Sequence, residues 1–512
     1  MSLGAVTRAC QGPAVRRLAG LVALFAMVLA AYHPVLSAGF IWDDDSYVTF
    51  NTLLKTAGGL RRIWLDPTAS PQYYPLVFTT FWLEYQAWKL WPVGYHLVNI
   101  CLHALNAVLA WRVLRRLGLP GAWWAAAIFA LHPVQVESVA WITELKNVLS
   151  GCWFLLACWS YLRYDELRHD PSPASHRRWR YYGLALVSFA AALLSKTVTC
   201  TLPAVLAIML AWRHRRLSRR DLLPLLPLLL LGAAMAAMTT WLETVHVGAG
   251  KEAWRFSAAE RLLIAGRAFW FYLGKLLWPA RLTFIYPRWS LDPTSLLQWS
   301  FPLAALVVFA GGWTCRRRLG RGPPLALTAF VVLLSPALGF VSFYPMLFSF
   351  VADHFQYLAG LAPIALVVGT TATAVSRGGR LARVTATIVA VAVAAALGLV
   401  TWQQGQIYRS PEALWRDTLR NNPGAWIAHN NLAVDLFLRG AIEESEVHAR
   451  EALRLKPDCA EAYNSLGNVF MRQGHIDAAI AAYTKALAFR EDFTQAYRNV
   501  GHALIRREQQ QP

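Results

Sequence analysis

The chain has 512 residues, 56% of them hydrophobic and only 15% charged, and its mean hydropathy is +0.36. Ordinary globular domains carry about 25% charged residues, so these totals, together with 23 tryptophans, point to a polytopic membrane protein rather than a soluble one. The formal charge of +20 does not imply nucleic acid, because the arginines fall in short clusters between apolar runs, as they do in cytoplasmic loops.

The first apolar run covers 18–40 and follows Arg8, Arg16 and Arg17. Leu36-Ser37-Ala38-Gly39 loosely resembles a signal-peptidase site. The run is longer than a signal-peptide core, however, and about 20 apolar residues suffice to cross a bilayer as a helix. We therefore read it as a retained first span. Ten more follow, at about 93–115, 121–134, 145–164, 180–195, 197–213, 222–242, 297–315, 323–342, 355–376 and 382–402. The basic clusters Arg112–Arg116, Arg163–Arg180, Arg213–Arg220, Arg316–Arg321 and Arg377–Arg383 then share a side with the N-terminus. The opposite short loops carry little beyond Lys146 and Lys196. That asymmetry predicts a cytoplasmic N-terminus and, with about eleven spans, an extracytoplasmic C-terminus.

Two long outer loops result, 41–92 and 243–296. The first begins with Asp43-Asp44-Asp45, where the first span leaves the hydrocarbon. Partial desolvation there raises the proton affinity of carboxylates and suits them to general base work, although an acidic cluster can also simply end a helix in water. Trp82, Trp88 and Trp91 in 76–91, and the mixture of bulky apolar residues with Arg267 and Lys275 in 261–278, predict helices lying in the membrane interface.

A shorter loop on the same side holds His132, Glu137, Glu144, Lys146 and Asn147. Charge at membrane depth is expensive and tends to face a cavity. Lys196 lies between two spans, Lys275 on the second interfacial helix, and Asp353-His354 just before the tenth span. Acids on one wall and cations on another suit a lipid-phosphate ligand whose headgroup reacts nearby; taken singly, the lysines could also be snorkelling. The chain has no Walker loop, GxGxxG, HExxH or GxSxG. Its seven cysteines show no CxxC or Cys/His ligand spacing, so neither structural disulfides nor a cysteine metal site is expected.

From about 403 the apolar runs stop and a 34-residue period begins. Leu432, Leu466 and Val500 are in register, as are Gly440 with Gly474, Ala452 with Ala486, and Pro423 with Pro457. Ala462-Tyr463-Asn464-Ser465-Leu466-Gly467-Asn468, with Ala478, Tyr483 and Ala486, fits the tetratricopeptide consensus, and 411–422 fits the second helix of an incomplete preceding repeat. The expected organisation is all-α: a membrane bundle over 1–402 and a repeat solenoid over 403–512. The solenoid's concave face would take extended peptide, or the repeats would only cap the membrane domain.

Several motifs occur in order along the chain. They are Trp42-Asp43-Asp44 with Asn51, Tyr74-Pro75-Leu76, Gly94-Tyr95-His96-Leu97-Val98-Asn99 with His103, and His132-Pro133-Val134-Gln135-Val136-Glu137-Ser138-Val139. Together they resemble the transmembrane and tetratricopeptide repeat-containing protein O-mannosyltransferases and their bacterial relatives, a family with GT-C-like architecture. The resemblance implies a lipid-phosphate sugar donor (polyprenyl- or dolichyl-linked) and a protein Ser/Thr acceptor reached through the repeats. It implies Asp43 and Asp44 as the acidic pair, one of them the base, and Glu137 as the acid of the second loop. Asp45, His132, Lys146, Lys196, Lys275 and His354 are the expected substrate-binding residues, the last three near the leaving phosphate.

The expected function is thus an inverting membrane glycosyltransferase moving mannose or another hexose. No tightly held cofactor is expected, and a divalent metal requirement is left open. A bacterial inner membrane with periplasmic repeats is expected, with the endoplasmic reticulum as the alternative. The competing readings are a non-enzymatic scaffold for extracytoplasmic proteins, or the same transfer to a glycan or lipid acceptor.

Overall fold

A computed structural model describes residues 12–170, 176–214, 216–245, 256–342 and 344–510 of the chain. Arg8, Arg215 and residues 246–255 of the second outer loop lie outside the described residues. Every regular element among the described residues is helical. The chain divides into two units, Met1–Leu282 with Ser290–Gln406, and Thr283–Trp289 with Ile407–Pro512.

In the first unit, helix α1 is Pro13–Ala31. Proline at the first helical position is pre-set for helix entry. The helix stops well short of the expected 40, because Pro34, just past the Tyr32 cap, has no N–H to continue the ladder; a 3-10 turn, His33–Ser37, takes its place. The first outer loop then folds into α2 (Ala57–Leu65) and α3 (Pro75–Trp88). The bundle continues with α4 (Pro92–Arg116), α5 (Ala122–Leu131), α6 (Leu145–Arg168), α7 (Arg178–Ser195), α8 (Leu202–Arg213) and α9 (Leu226–Val245). It closes with α10 (Ala258–Leu277), α11 (Leu296–Thr314), α12 (Gly322–Leu334), α13 (Leu361–Ser376) and α14 (Arg380–Gly405).

Among the described residues, five helical stretches are long and apolar enough to cross a membrane: Ala14–Ala31, Pro92–Arg116, Arg219–Leu242, Leu296–Thr314 and Arg380–Arg409. Shorter apolar helices occupy Ala122–Leu131, Thr197–Arg213, Gly322–Ala337 and Leu361–Ser376. The Leu296–Thr314 window has no buried residue, as expected of a helix whose surroundings are lipid. The chain is therefore an all-α, multi-span membrane protein with a C-terminal helical repeat region.

Helix α4 organises the site. Its buried Asn99 donates to the carbonyls of Val139, Trp141 and Ile142 at 3.3–3.5 Å. One turn on, His103 lies 2.8 Å from the Tyr357 hydroxyl and 3.0 Å from the Ala130 carbonyl. Asn106 donates to Val148 O and to the Tyr357 hydroxyl, each at 2.8 Å. A polar group without a partner in such a setting costs several kcal/mol, so these bonds fix the loop after α5 and the turn at 353–357 onto one helix face.

The second unit is built of α15 (Pro411–Asn421), α16 (Trp426–Leu438), α17 (Ile442–Leu455), α18 (Ala460–Gln473), α19 (Ile476–Phe489) and α20 (Thr494–Gln510). Gly440 and Gly474, one repeat apart, both have φ +85° at the turn inside each helical pair. A side chain in that left-handed conformation costs roughly 1–2 kcal/mol. Gly474→Ala is accordingly expected to speed limited proteolysis within 407–512 of the intact protein, and Gly274→Ala, in helical backbone with open space at its Cβ, is not.

The second unit also recruits a piece of the outer loop that the sequence reading gave wholly to the membrane part. Asn422 donates to Ile285 O at 3.1 Å, and the Phe284 ring packs edge-on against Trp415 at 5.6 Å. Phe284, Ile285 and Tyr286 are all buried, which is what draws the segment in.

Candidate active site

Four chain segments converge: the start of the first outer loop (41–47), the loop from α5 into α6 (132–147), Lys196 after α7, and 353–354. Asp44 is fully buried and its carboxylate joins the first two. Oδ1 accepts from the Thr143 N–H at 2.8 Å and the Thr143 hydroxyl at 2.6 Å, and Oδ2 accepts from the Ile41 N–H at 2.8 Å. Burial pushes its carboxyl up to about 7 against the downward pull of those donors. Its oxygens are committed to holding the loops together.

Asp43, half-buried beside it, is influenced chiefly by its surroundings and by charge. Burial raises its carboxyl, Lys146 lowers it, Glu144 raises it, and the result lies above the ordinary value. Trp42, immediately before it, has φ +44° and stacks on Trp141 at 5.5 Å and 14°. A tryptophan in that backbone region is strained, and stacking across two loops is what holds it there.

Glu144 is the hub of the positive wall. It is fully buried and lies 2.9 Å from Lys146 Nζ, 3.3 Å from Lys196 Nζ and 3.9 Å from His354 Nε2. Burial alone would push its carboxyl up, but His354, Lys146 and Lys196 outweigh that and hold it well below the usual range. Lys146 also sits over the Tyr47 and Trp141 rings, 5.3 and 5.5 Å from their centroids. Lys196 donates to Asn147 Oδ1 at 2.7 Å, and burial brings it down to about 8 although the Glu144 charge opposes this. Glu137 pairs with His354, accepting from its backbone N–H at 3.0 Å and lying 2.9 Å from its Nδ1.

The structure thus brings together Asp43, Asp44, Glu137, Lys146, Lys196 and His354. Asp45 and His132 stand apart, and Lys275 meets the cluster only through the Asp353 charge. Asp45 is exposed and accepts from Thr49 in its own turn at 2.7 Å. His132 reaches the Leu276 carbonyl at 3.0 Å and accepts from the Val134 N–H at 3.4 Å, fixing the His132-Pro133 turn. Lys275 donates to the carbonyls of Ala280 and Arg281 at 2.7 and 3.1 Å, closing the end of α10. The sequence places Glu144 and Asn147 in this polar loop without assigning either a role of its own, and it does not single out Thr143. The polarity of that loop was their only signal.

Next to the cluster, a small pocket of about 30 Å³ runs from Asn147 and His354 to Phe154, Leu333 and Leu358. The same three apolar residues line a cavity of about 470 Å³. Its wall is otherwise mostly aliphatic, including Val205, Ile208, Ala365 and Leu366.

Comparison with known proteins bears on this geometry. Residues 460–493 match the tetratricopeptide repeat family model. Protein O-mannosyl-transferase Tmtc1 of Drosophila melanogaster is 33% identical over 196 residues, 36% of this chain and 22% of that protein. Protein O-mannosyl-transferase TMTC2 of Mus musculus is 28% identical over 303 residues, 53% of this chain and 35% of that protein. The matched stretches thus span about a fifth to a third of the length of these relatives. Among solved structures, ArnT from Cupriavidus metallidurans bound to undecaprenyl phosphate aligns over 91% of this chain and 80% of that one, at 15% identity and a TM-score of 0.37. The fold and site are those of a multi-span membrane protein with a buried acid–lysine cluster and helical repeats. The chain is related to the protein O-mannosyl-transferases and carries a tetratricopeptide repeat.

Proposed function

We propose that this chain is a membrane glycosyltransferase of GT-C type, moving a sugar from a lipid-phosphate donor to a hydroxyl outside the cytoplasm. The observation that carries the reading is Asp43, a half-buried carboxylate of raised proton affinity beside the Glu144–Lys146–Lys196–His354 cluster. The acceptor oxygen attacks the anomeric carbon, the sugar–phosphate bond breaks, and the phosphate leaves with the bonding electrons. Asp43 takes the hydroxyl proton, late, because a carboxylate is a weak base for an alcohol. Lys146 and Lys196, held by Glu144, face the charge that grows on the phosphate. Asp44 is a positioning group, and Glu137 orients His354.

The aliphatic cavity, which shares Phe154, Leu333 and Leu358 with the small pocket at Asn147 and His354, supports a lipid substrate, and an acceptor hydroxyl on a glycan or lipid fits this setting. A protein hydroxyl is the second reading, supported by the relatives' names and the repeat. The setting we propose is a bacterial inner membrane with periplasmic repeats, the endoplasmic reticulum being the other.

The test is turnover of a panel of polyprenyl-phosphate sugars by the purified protein, with peptide, glycan and lipid hydroxyls offered in turn. Transfer to one class establishes the reaction and its acceptor. Hydrolysis and transfer both absent, with repeat-dependent protein binding intact, would favour a scaffold.

The pH profile should be a bell. Asp43 must be deprotonated, so turnover falls as the pH drops through its pKa, which burial raises above the ordinary aspartate value. Lys196 must be protonated, so turnover falls again as the pH rises through about 8. A profile with no acid limb would remove Asp43 from the mechanism, and one with no alkaline fall near pH 8 would remove Lys196.

A further inference from the structure

The arginine-rich ends of α6 and α8 carry a second constellation that the transfer reaction does not use. Asp165 and His169 are four residues apart where α6 ends, and so share a face; His214 caps α8. One carboxylate oxygen and one nitrogen from each ring lie within 4.8 Å of one another. His214 Nε2 is 3.0 Å from Asp165 Oδ2, His169 Nδ1 is 3.7 Å from Oδ1, and the two imidazole centroids are 5.1 Å apart. Zinc–ligand bonds of about 2.0–2.2 Å in a tetrahedron put donor atoms about 3.3–3.6 Å apart. Side-chain adjustment of about an ångström therefore closes the set around one ion.

We propose that Asp165, His169 and His214 form a site for a divalent transition metal of the zinc class, on the face that the arginine asymmetry assigns to the cytoplasm. Two imidazoles and one carboxylate make a borderline donor set, which selects zinc, cobalt or nickel over magnesium and calcium. The site is reachable: Asp165 is only 3% exposed, but His169 is 50% and His214 27% exposed, leaving a solvent side for entry and for a water ligand.

The competing cations have other partners. Arg213 lies 3.3 Å from Asp165 but also 3.4 Å from Glu166 and 3.1 Å from the Leu162 carbonyl. Arg168 is 4.0 Å from Asp165 and is bonded to Asp221 and to the Arg220 carbonyl. Arg116 and Arg163 both pair with Glu166. Each arginine near Asp165 can thus release it without being left unpaired. A bound ion would tie the end of α6 to the end of α8; Lys146 lies at the other end of α6, and Lys196 just before the 3-10 turn that leads into α8.

The test uses full-length protein without a polyhistidine tag, in detergent, stripped with a chelator and titrated with Co²⁺ as a spectroscopic probe. The expected result is visible ligand-field absorption that saturates at one ion per chain and is abolished by Zn²⁺ but not by Mg²⁺. His169→Gln and His214→Gln should each weaken binding by more than about 100-fold, because loss of an outer-shell partner alone costs 10–100-fold. Both side chains are partly exposed, so the variants should keep the wild-type elution profile. His429→Gln, which breaks a separate pair with His448 at 2.9 Å in the repeat unit, should leave the titration unchanged. No saturable binding, binding that survives in both α6/α8 variants, or binding lost with His429 would each overturn the proposal.

Discussion

Asp43→Asn is expected to abolish sugar transfer, lowering turnover by about 10²–10⁴-fold, the usual contribution of a positioned general base, while leaving the fold intact. Asp43 accepts the proton in our reading and acts on Lys146 through charge, whereas Asp44 is bonded across two loops. Asp44 is the reverse case. All its bonding goes to Ile41 and Thr143, across the junction of two loops. An amide there must turn its NH₂ toward one of those donors, leaving a buried N–H or O–H unmet at a cost of about 1–3 kcal/mol. Asp44→Asn should therefore lower the thermal midpoint as well as the rate, and Thr143→Val should do the same to a smaller degree. Single-turnover assays beside thermal unfolding in detergent separate the two roles. An Asp43→Asn protein that turns over normally, with an Asp44→Asn protein that is stable but inactive, would exchange the assignments.

The sequence exposed some of this and hid the rest, for reasons that lie in particular residues. The three aspartates follow a long apolar run, and the 34-residue register of Gly440 and Gly474 reappears as matched left-handed turns, because both signals are local. Glu144 was hidden by geometry. Two residues from Lys146, it would point away from it on a regular helix, and only the change from a 3-10 turn at Ile142–Glu144 to α6 at Leu145 lets the pair meet. Its other partners come from distant segments: His354 lies beside the Tyr357 turn that the α4 network holds, and Lys196 caps the end of α7. His132 and Lys275 carry the residue types of a site, but both spend hydrogen bonds on backbone carbonyls, which composition cannot show. The early end of α1 was readable in Pro34. The transfer of 283–289 to the repeat unit was not, since buried aromatics and membrane-interface aromatics look alike in sequence.

Glu144→Gln is expected to do more damage than removal of either lysine. One fully buried carboxylate stands between Lys146, Lys196 and His354. The neutral amide leaves two buried ammonium groups side by side, and breaking a buried pair by deleting one partner costs about 3–5 kcal/mol. The folded carboxyl is held well below its ordinary value, so this stabilisation is present above the unfolded carboxyl's pKa and is lost only as the pH falls through the depressed one. The variant's deficit should accordingly be full at neutral pH. Lys196, already brought down to about 8 by burial, loses the charge that opposes that fall, so the alkaline limb of the rate profile should move to lower pH. An anionic ligand can supply the missing charge. Polyprenyl phosphate should therefore raise the thermal midpoint of Glu144→Gln by more than it raises that of the wild type, whereas the uncharged polyprenol should raise neither. Equal shifts in the two proteins would mean that the phosphate binds away from these lysines, and the leaving-group site would have to be sought elsewhere on the bundle.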